Sequence, residues 1–241
     1  MRISADKTVR ELAVEVAGAT RVFEKLGIDY CCGGGKALEE ACEAAGIPVN
    51  EIISSLEEAE RSSMQSDEGE DWQKESLAKL TSYIVSKHHV FTRDEMDRIE
   101  PLLAKVCKVY GNEHPELLKI QAVFQELKND LLTHMHKEEM VLFPYIAEME
   151  EAITNQTSRP RPFFGTVRNP IRMMSLEHDL AGELLRNIRL LSSGFEPPAD
   201  SCVSYQTLYR ALEELEQDLH RHIHLENNIL FPRATEMEDR S

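Results

Sequence analysis

Asp130-Leu-Leu-Thr-His134-Met-His-Lys-Glu138-Glu-Met-Val-Leu142-Phe143-Pro144 recurs 88 residues later as Asp218-Leu-His-Arg-His222-Ile-His-Leu-Glu226-Asn-Asn-Ile-Leu230-Phe231-Pro232. In each copy Asp, His and Glu fall at i, i+4 and i+8, and Leu-Phe-Pro follows. On an α-helix this spacing stacks the three side chains on one face. A His and a Glu one turn apart can ligate the same metal ion or two adjacent ones. Two such helices facing each other point to a dinuclear site inside a helix bundle.

The repeat extends outward. His89 precedes His134 by 45 residues and His178 precedes His222 by 44. Each half is then a helix with one His, a connection, and a helix with His-x-x-x-Glu. The apolar periodicity predicts four long helices: Ser76 to about Cys107 with a kink at Pro101, about Pro115 to Glu150, about Pro170 to before Gly194, and about Ser204 to Glu236. Segment 151–169 is Pro-rich and irregular, and is expected to be a long loop between the halves. The fold class is all-α: an up-down four-helix bundle over 75–241. A small helical domain over 1–57 precedes it, with a Ser- and acid-rich linker over 58–74. In the small domain Thr8-Val-Arg-Glu11 reads as a capping box, and Gly27 and Gly46 as helix ends. Asn50 reads as the cap of a fourth short helix.

The proposed metal ligands are His89, His134, Glu138, His178, His222 and Glu226. Burying such groups without a partner would cost several kcal/mol, which a metal removes. Four imidazoles and two carboxylates suit iron or manganese, with iron favoured by the nitrogen content. Glu138 and Glu226 are placed to bridge two ions, and an oxo or hydroxo group could complete the coordination. Helical phase leaves both His88 and His89 open as the first ligand; the repeat offset favours His89.

Asp130 and Asp218 read equally as acceptors that orient the His one turn on or as solvated positions. Glu177, beside His178, reads equally as a gate or proton relay and as surface charge. Glu139 is expected to be solvated. His136, His220 and His224 fall on other faces, and Met135, Met140, Phe143 and Phe231 are expected to be packing residues. Cys31-Cys32 lies in the glycine-rich loop Gly33-Gly34-Gly35. Adjacent cysteines can close only a strained, easily reduced ring, which suits redox or metal transfer as well as it suits two inert thiols. Cys42, Cys107 and Cys202 are expected to pack.

Composition limits the partners. The chain is 241 residues long and 41% hydrophobic, enough to fill a core. A formal net charge of -16 argues against nucleic acid and anionic membranes. No apolar run reaches membrane-helix length, and the first residues have no signal-peptide pattern, so a cytoplasmic location is expected. Five cysteines, two of them adjacent, do not form the even set of a secreted disulfide scaffold.

The C-terminal part resembles hemerythrin-like di-iron domains, through His134-Met-His-Lys-Glu138-Glu139, Glu177-His178-Asp179, Ala181-Gly182-Glu183-Leu184 and His222-Ile-His-Leu-Glu226 with the two Leu-Phe-Pro segments. Together with Val22-Phe23-Glu24-Lys25-Leu26-Gly27-Ile28-Asp29-Tyr30-Cys31-Cys32-Gly33-Gly34-Gly35-Lys36, it is similar to the repair-of-iron-centres (RIC) family of ScdA/YtfE type. The family's stretch before its first ligand matches Leu80 to His89 and favours His89. A family proline further along that helix is replaced here by Asp97.

The resemblance implies a cytoplasmic stress protein with two non-haem irons, bridged by carboxylates, that repairs iron–sulfur clusters damaged by nitric oxide or peroxide. Its partners would be damaged iron–sulfur proteins and small molecules such as nitric oxide or dioxygen; a homodimer stays open. Iron donation is the main reading. The alternatives are an oxidoreductase that reduces nitric oxide at the diferrous centre and hemerythrin-like dioxygen binding or sensing. Glu177, Cys31 and Cys32 are the candidates for chemistry beyond ligation.

Overall fold

The computed structural model describes residues 3–16, 18–31, 33–63, 71–158 and 160–240. Among these residues there is no β-strand, and no helix is long and apolar enough to cross a membrane. The chain divides into two compact units: residues 1–76 with 220–233, and residues 77–219 with 234–241.

The first unit holds four short helices, α1 (Val9–Glu15), α2 (Ala19–Leu26), α3 (Leu38–Ala45) and α4 (Val49–Ser63). They bury Val9, Leu12, Phe23, Leu38, Ile52 and Leu56 against one another. The first three N–H groups of α1 have no partner within the helix, and each finds one outside it. Val9 N–H donates to the Lys36 carbonyl (3.0 Å), Arg10 N–H to that of Gly34 (2.7 Å), and Glu11 N–H to Thr8 Oγ1 (3.2 Å). Thr8 N–H returns a bond to Glu11 Oε2 (2.8 Å), completing the capping box. The glycine-rich loop thus serves as the N-terminal cap of α1. Its Gly34 is there for clearance, because a Cβ would lie 2.6 Å from the Tyr30 carbonyl oxygen. Gly27 ends α2 at φ 68°, letting Ile28 N–H reach the Phe23 carbonyl (2.9 Å).

Two boundaries here differ from the sequence reading. Helix α4 begins at Val49, so Asn50 lies inside it rather than capping it. It also runs through 58–63, where a linker was expected; a solvated helix face needs no apolar residue, and Arg61 Nε donates to the Glu57 carbonyl (3.1 Å). Residues 64–70 of the expected linker lie outside the described residues.

Residues 77–239 form four helical rods, the last of which contributes its 220–233 stretch to the first unit. The first comprises α5 (Leu77–Tyr83), a π turn (Ile84–His89) and α6 (Val90–Tyr110). The second comprises α7 (Glu116–Lys137), a π turn (Glu138–Leu142) and α8 (Phe143–Thr154). The third is α9 (Arg168–Leu191). The fourth comprises α10 (Val203–Leu225), a π turn (Glu226–Leu230) and α11 (Phe231–Asp239). All four supply the core, among them Met96, Ile99, Phe124, Leu131, Leu185, Ile188, Leu212 and Leu219. This is the hemerythrin-like four-helix bundle. Glu150 accepts from the N–H groups of Leu77 (2.8 Å) and Ala78 (2.9 Å), placing a carboxylate at the positive end of α5.

The rods run longer than their periodicity predicts. Helix α8 covers 151–154 because Ala152 is buried, so the long loop is shorter than expected. Helix α9 starts at Arg168, with Pro170 in its first turn, where its missing N–H costs nothing. Pro101 lies within α6; the register break of that rod is the π turn at Ile84–His89.

Candidate metal centre

Each of the three π turns carries or begins with a candidate ligand: His89 ends the first, Glu138 opens the second and Glu226 opens the third. In the last two the widened bond is the same, Phe143 N–H to the Glu138 carbonyl and Phe231 N–H to that of Glu226. The repeated proline explains the placement. Pro144 and Pro232 carry no N–H, so the change from π to α register gives up no backbone donor there.

His89, His134, Glu138, His178, His222 and Glu226 are all buried, with at most 2% exposure. Glu138 Oε2 lies 3.4 Å from His89 Nε2 and 3.3 Å from His134 Nε2. His134 Nε2 and His178 Nε2 are 3.0 Å apart. On the last rod His222 Nε2 is 3.1 Å from Glu226 Oε1. The potential ligand atoms form two groups, each with its atoms within 4.8 Å of one another: His89, Glu138, His222 and Glu226, and His134, Glu138, His178 and Glu226. Both carboxylates belong to both groups, and each group takes one imidazole from each half of the repeat.

The outer nitrogens set which way the imidazoles are protonated. His89 Nδ1 meets Glu139 Oε1 at 2.7 Å, and His134 Nδ1 meets Glu177 Oε2 at 2.9 Å. A carboxylate accepts only, so each Nδ1 holds a proton and each Nε2 is the atom turned inward. Both Nε2 atoms converge on Glu138 Oε2 among buried side chains. Imidazole nitrogens and carboxylate oxygens converging in this way fit a cation, and that donor set fits iron.

Both outer carboxylates stay ionised. The bond from His134 holds Glu177 down at about 2, against the opposing effect of burial and with help from Lys137. Burial pushes Glu139 up, but His89 and Arg93 outweigh it and leave it below the usual carboxylate range. Arg93 donates to Glu139 Oε1 (2.8 Å), and Phe143 stacks on the His89 ring with 5.8 Å between centroids.

Several residues stand where sequence reasoning did not put them. Glu139 is half-buried rather than fully solvated, and it accepts from His89. Helical spacing turns it away from Glu138, and only the pairing of the first two rods reveals its contact. Glu177 contacts His134 across the bundle, although its neighbour in sequence is His178. Asp218 accepts from His88 Nδ1 (3.1 and 3.0 Å), while Asp130 is exposed, so the two repeat aspartates have different surroundings. Both histidines of the first π turn are buried, but only His89 joins a ligand group. His136 is exposed and His224 is buried. Met140 is exposed at 64% and does not pack, unlike Met135, Phe143 and Phe231. Cys202 is exposed as well, whereas Cys42 and Cys107 are buried. Cys31 is buried beside Asp29, and Cys32 lies outside the described residues.

The sequence matches the Hemerythrin HHE cation binding domain over residues 80–234, and ScdA_N, described as a domain of unknown function (DUF542), over residues 5–60. It is 34% identical, over 95% of this chain and 97% of the relative, to a probable iron-sulfur cluster repair protein of Haemophilus influenzae. The chain belongs to the iron–sulfur cluster repair family. Further members of that family are the iron-sulfur cluster repair proteins YtfE of Yersinia pseudotuberculosis and Yersinia pestis. Each is 32% identical over 95% of this chain and 96% of the relative. The His/Glu cluster therefore lies in a hemerythrin-type cation-binding domain of a repair-family protein, and its donor set fits iron.

Proposed function

We propose that this protein holds two non-haem irons on His89, His134, Glu138, His178, His222 and Glu226, and supplies iron to iron–sulfur proteins damaged under nitrosative or oxidative stress. The observation that carries this reading is the sharing of Glu138 and Glu226 between both ligand groups, which suits two neighbouring ions bridged by carboxylates. The relatives' names as cluster repair proteins support the repair role. Its partners are then damaged iron–sulfur proteins of the cytoplasm, with nitric oxide or dioxygen as small-molecule ligands.

Bound iron supplies Lewis-acid and one-electron chemistry in a dry site. The chain's own residues prepare it. Glu139 and Glu177 hold Nδ1 protons on His89 and His134, which leaves Nε2 of each ring as the ligating atom. Glu138 and Glu226 place two carboxylates in the bundle interior. Six protein ligands for two ions is a sparse set, which makes one iron releasable as cargo.

Iron-loaded protein should reactivate a dehydratase whose cluster was destroyed by nitric oxide. Failure where free ferrous iron succeeds would sink the donor reading. Multiple-turnover release of nitrous oxide by the diferrous protein, without reactivation, would move the assignment to nitric oxide reduction. His134→Ala and Glu226→Ala should each lower iron content from two per chain, whereas His136→Ala should not. Equal loss in all three would break the ligand assignment.

A further inference from the structure

Asn228 stands two residues beyond Glu226, in the same π turn, and is buried. Its Nδ2 donates to the Tyr30 carbonyl (3.1 Å) and to His224 Nδ1 (2.8 Å). A carbonyl only accepts, so the amide's NH2 must face it, and His224 then carries its proton on Nε2. The Tyr30 carbonyl belongs to the peptide that joins Tyr30 to Cys31.

That peptide is held on every side. Tyr30 Oη donates to Glu24 Oε1 (2.7 Å), and Glu24 also pairs with Arg221 Nε (3.4 Å). The Tyr30 ring stands edge-on to His224, with 5.4 Å between centroids. Asp29 Oδ1 accepts from Cys31 N–H (3.1 Å).

The first copy of the repeat lacks this arrangement. The positions equivalent to His224 and Asn228 are His136 and Met140, and both are exposed. The two shared carboxylates are therefore presented differently: the turn of Glu226 is tied to the cysteine loop, and at the positions equivalent to His224 and Asn228 the turn of Glu138 has the exposed His136 and Met140.

We propose that Asn228 is a positioning residue that ties the Tyr30–Cys31 peptide to the π turn of Glu226, so that the conformation of the cysteine loop sets how this carboxylate is presented. The inference rests on the reading of Glu226 as an iron ligand. A buried amide that bonds a loop carbonyl and its own helix transmits a displacement of either, because neither bond can be exchanged for water.

The test uses the full chain with Asn228→Asp, which keeps the shape but removes both donors, and Asn228→Ser as a second variant. In apo protein, hydrogen exchange should rise by about tenfold in peptides covering 28–36 and 226–231 together, the effect expected for one buried bond. In iron-loaded protein the iron count should stay at two while affinity falls by about 10- to 100-fold. The Mössbauer parameters of one iron pair should also shift. Exchange confined to 226–231, with affinity and spectrum as in wild type, overturns the inference and leaves the iron reading standing. Wild type that binds no iron overturns both. If Asn228→Asp does not fold, Asn228→Ser decides by the same readouts.

Discussion

Glu139 and Glu177 act on the centre at the scale of single residues. Neither ligates, yet each holds the outer nitrogen of a ligand imidazole and so fixes its orientation and proton. They arrive from different places: Glu139 follows a ligand in sequence and serves His89, while Glu177 precedes His178 and serves His134. Glu139→Ala and Glu177→Ala should each lower iron affinity by about 10- to 100-fold, the usual effect of removing a carboxylate behind a ligand histidine. Competition against a calibrated chelator measures this, and affinity within twofold of wild type would show that the carboxylates are bystanders. The residue scale also defines what sequence could show. Spacing of four residues put His134 with Glu138 and His222 with Glu226 on one face, because that geometry is local. The partner of Glu139 was hidden because it lies 50 residues away on another rod. Asp218 was misleading for the same reason: the ligand one helical turn on is His222, but its bond goes to His88.

At the scale of the element, the π turns are the feature that straight helical periodicity misses. A regular 3.6-residue pattern predicts four uninterrupted rods, whereas three of them widen where a ligand sits. Two of the widened turns have a legible cause in the Leu-Phe-Pro that closes each repeat; the first has none in its sequence. Alanine at 144 or 232 restores an N–H and with it the α register. Pro144→Ala and Pro232→Ala should leave the bundle folded, with a melting temperature within about 4 °C of wild type, roughly 1 kcal/mol for a chain of this size. Iron affinity should nevertheless fall. Unchanged affinity in both variants would mean that the π register does not serve the site. In the first unit the elements were more legible: the capping box and the helix-ending Gly27 each involve neighbours within a few residues.

At the scale of the whole molecule, the candidate ligands alone bury four imidazoles and two carboxylates. Such groups lower the stability of the empty protein, and a ligand that binds only the folded state restores it. Ferrous iron at a hundredfold excess over its dissociation constant should stabilise the fold by about 2.7 kcal/mol. Calorimetry should therefore show a higher melting temperature on loading and its reversal by chelator. A transition that ignores iron would place the metal outside the folded core.

Legible in the sequence were the all-α class, the twofold repeat and the helix faces on which His and Glu lie one turn apart. These follow from periodicities and caps that act over a few residues. Only the packed structure shows that His134 meets His178 and that Glu139 and Glu177 stand behind the imidazoles. Those choices depend on the register of one rod against another, which is set by the packing of the whole core and leaves no mark in the spacing along a single helix.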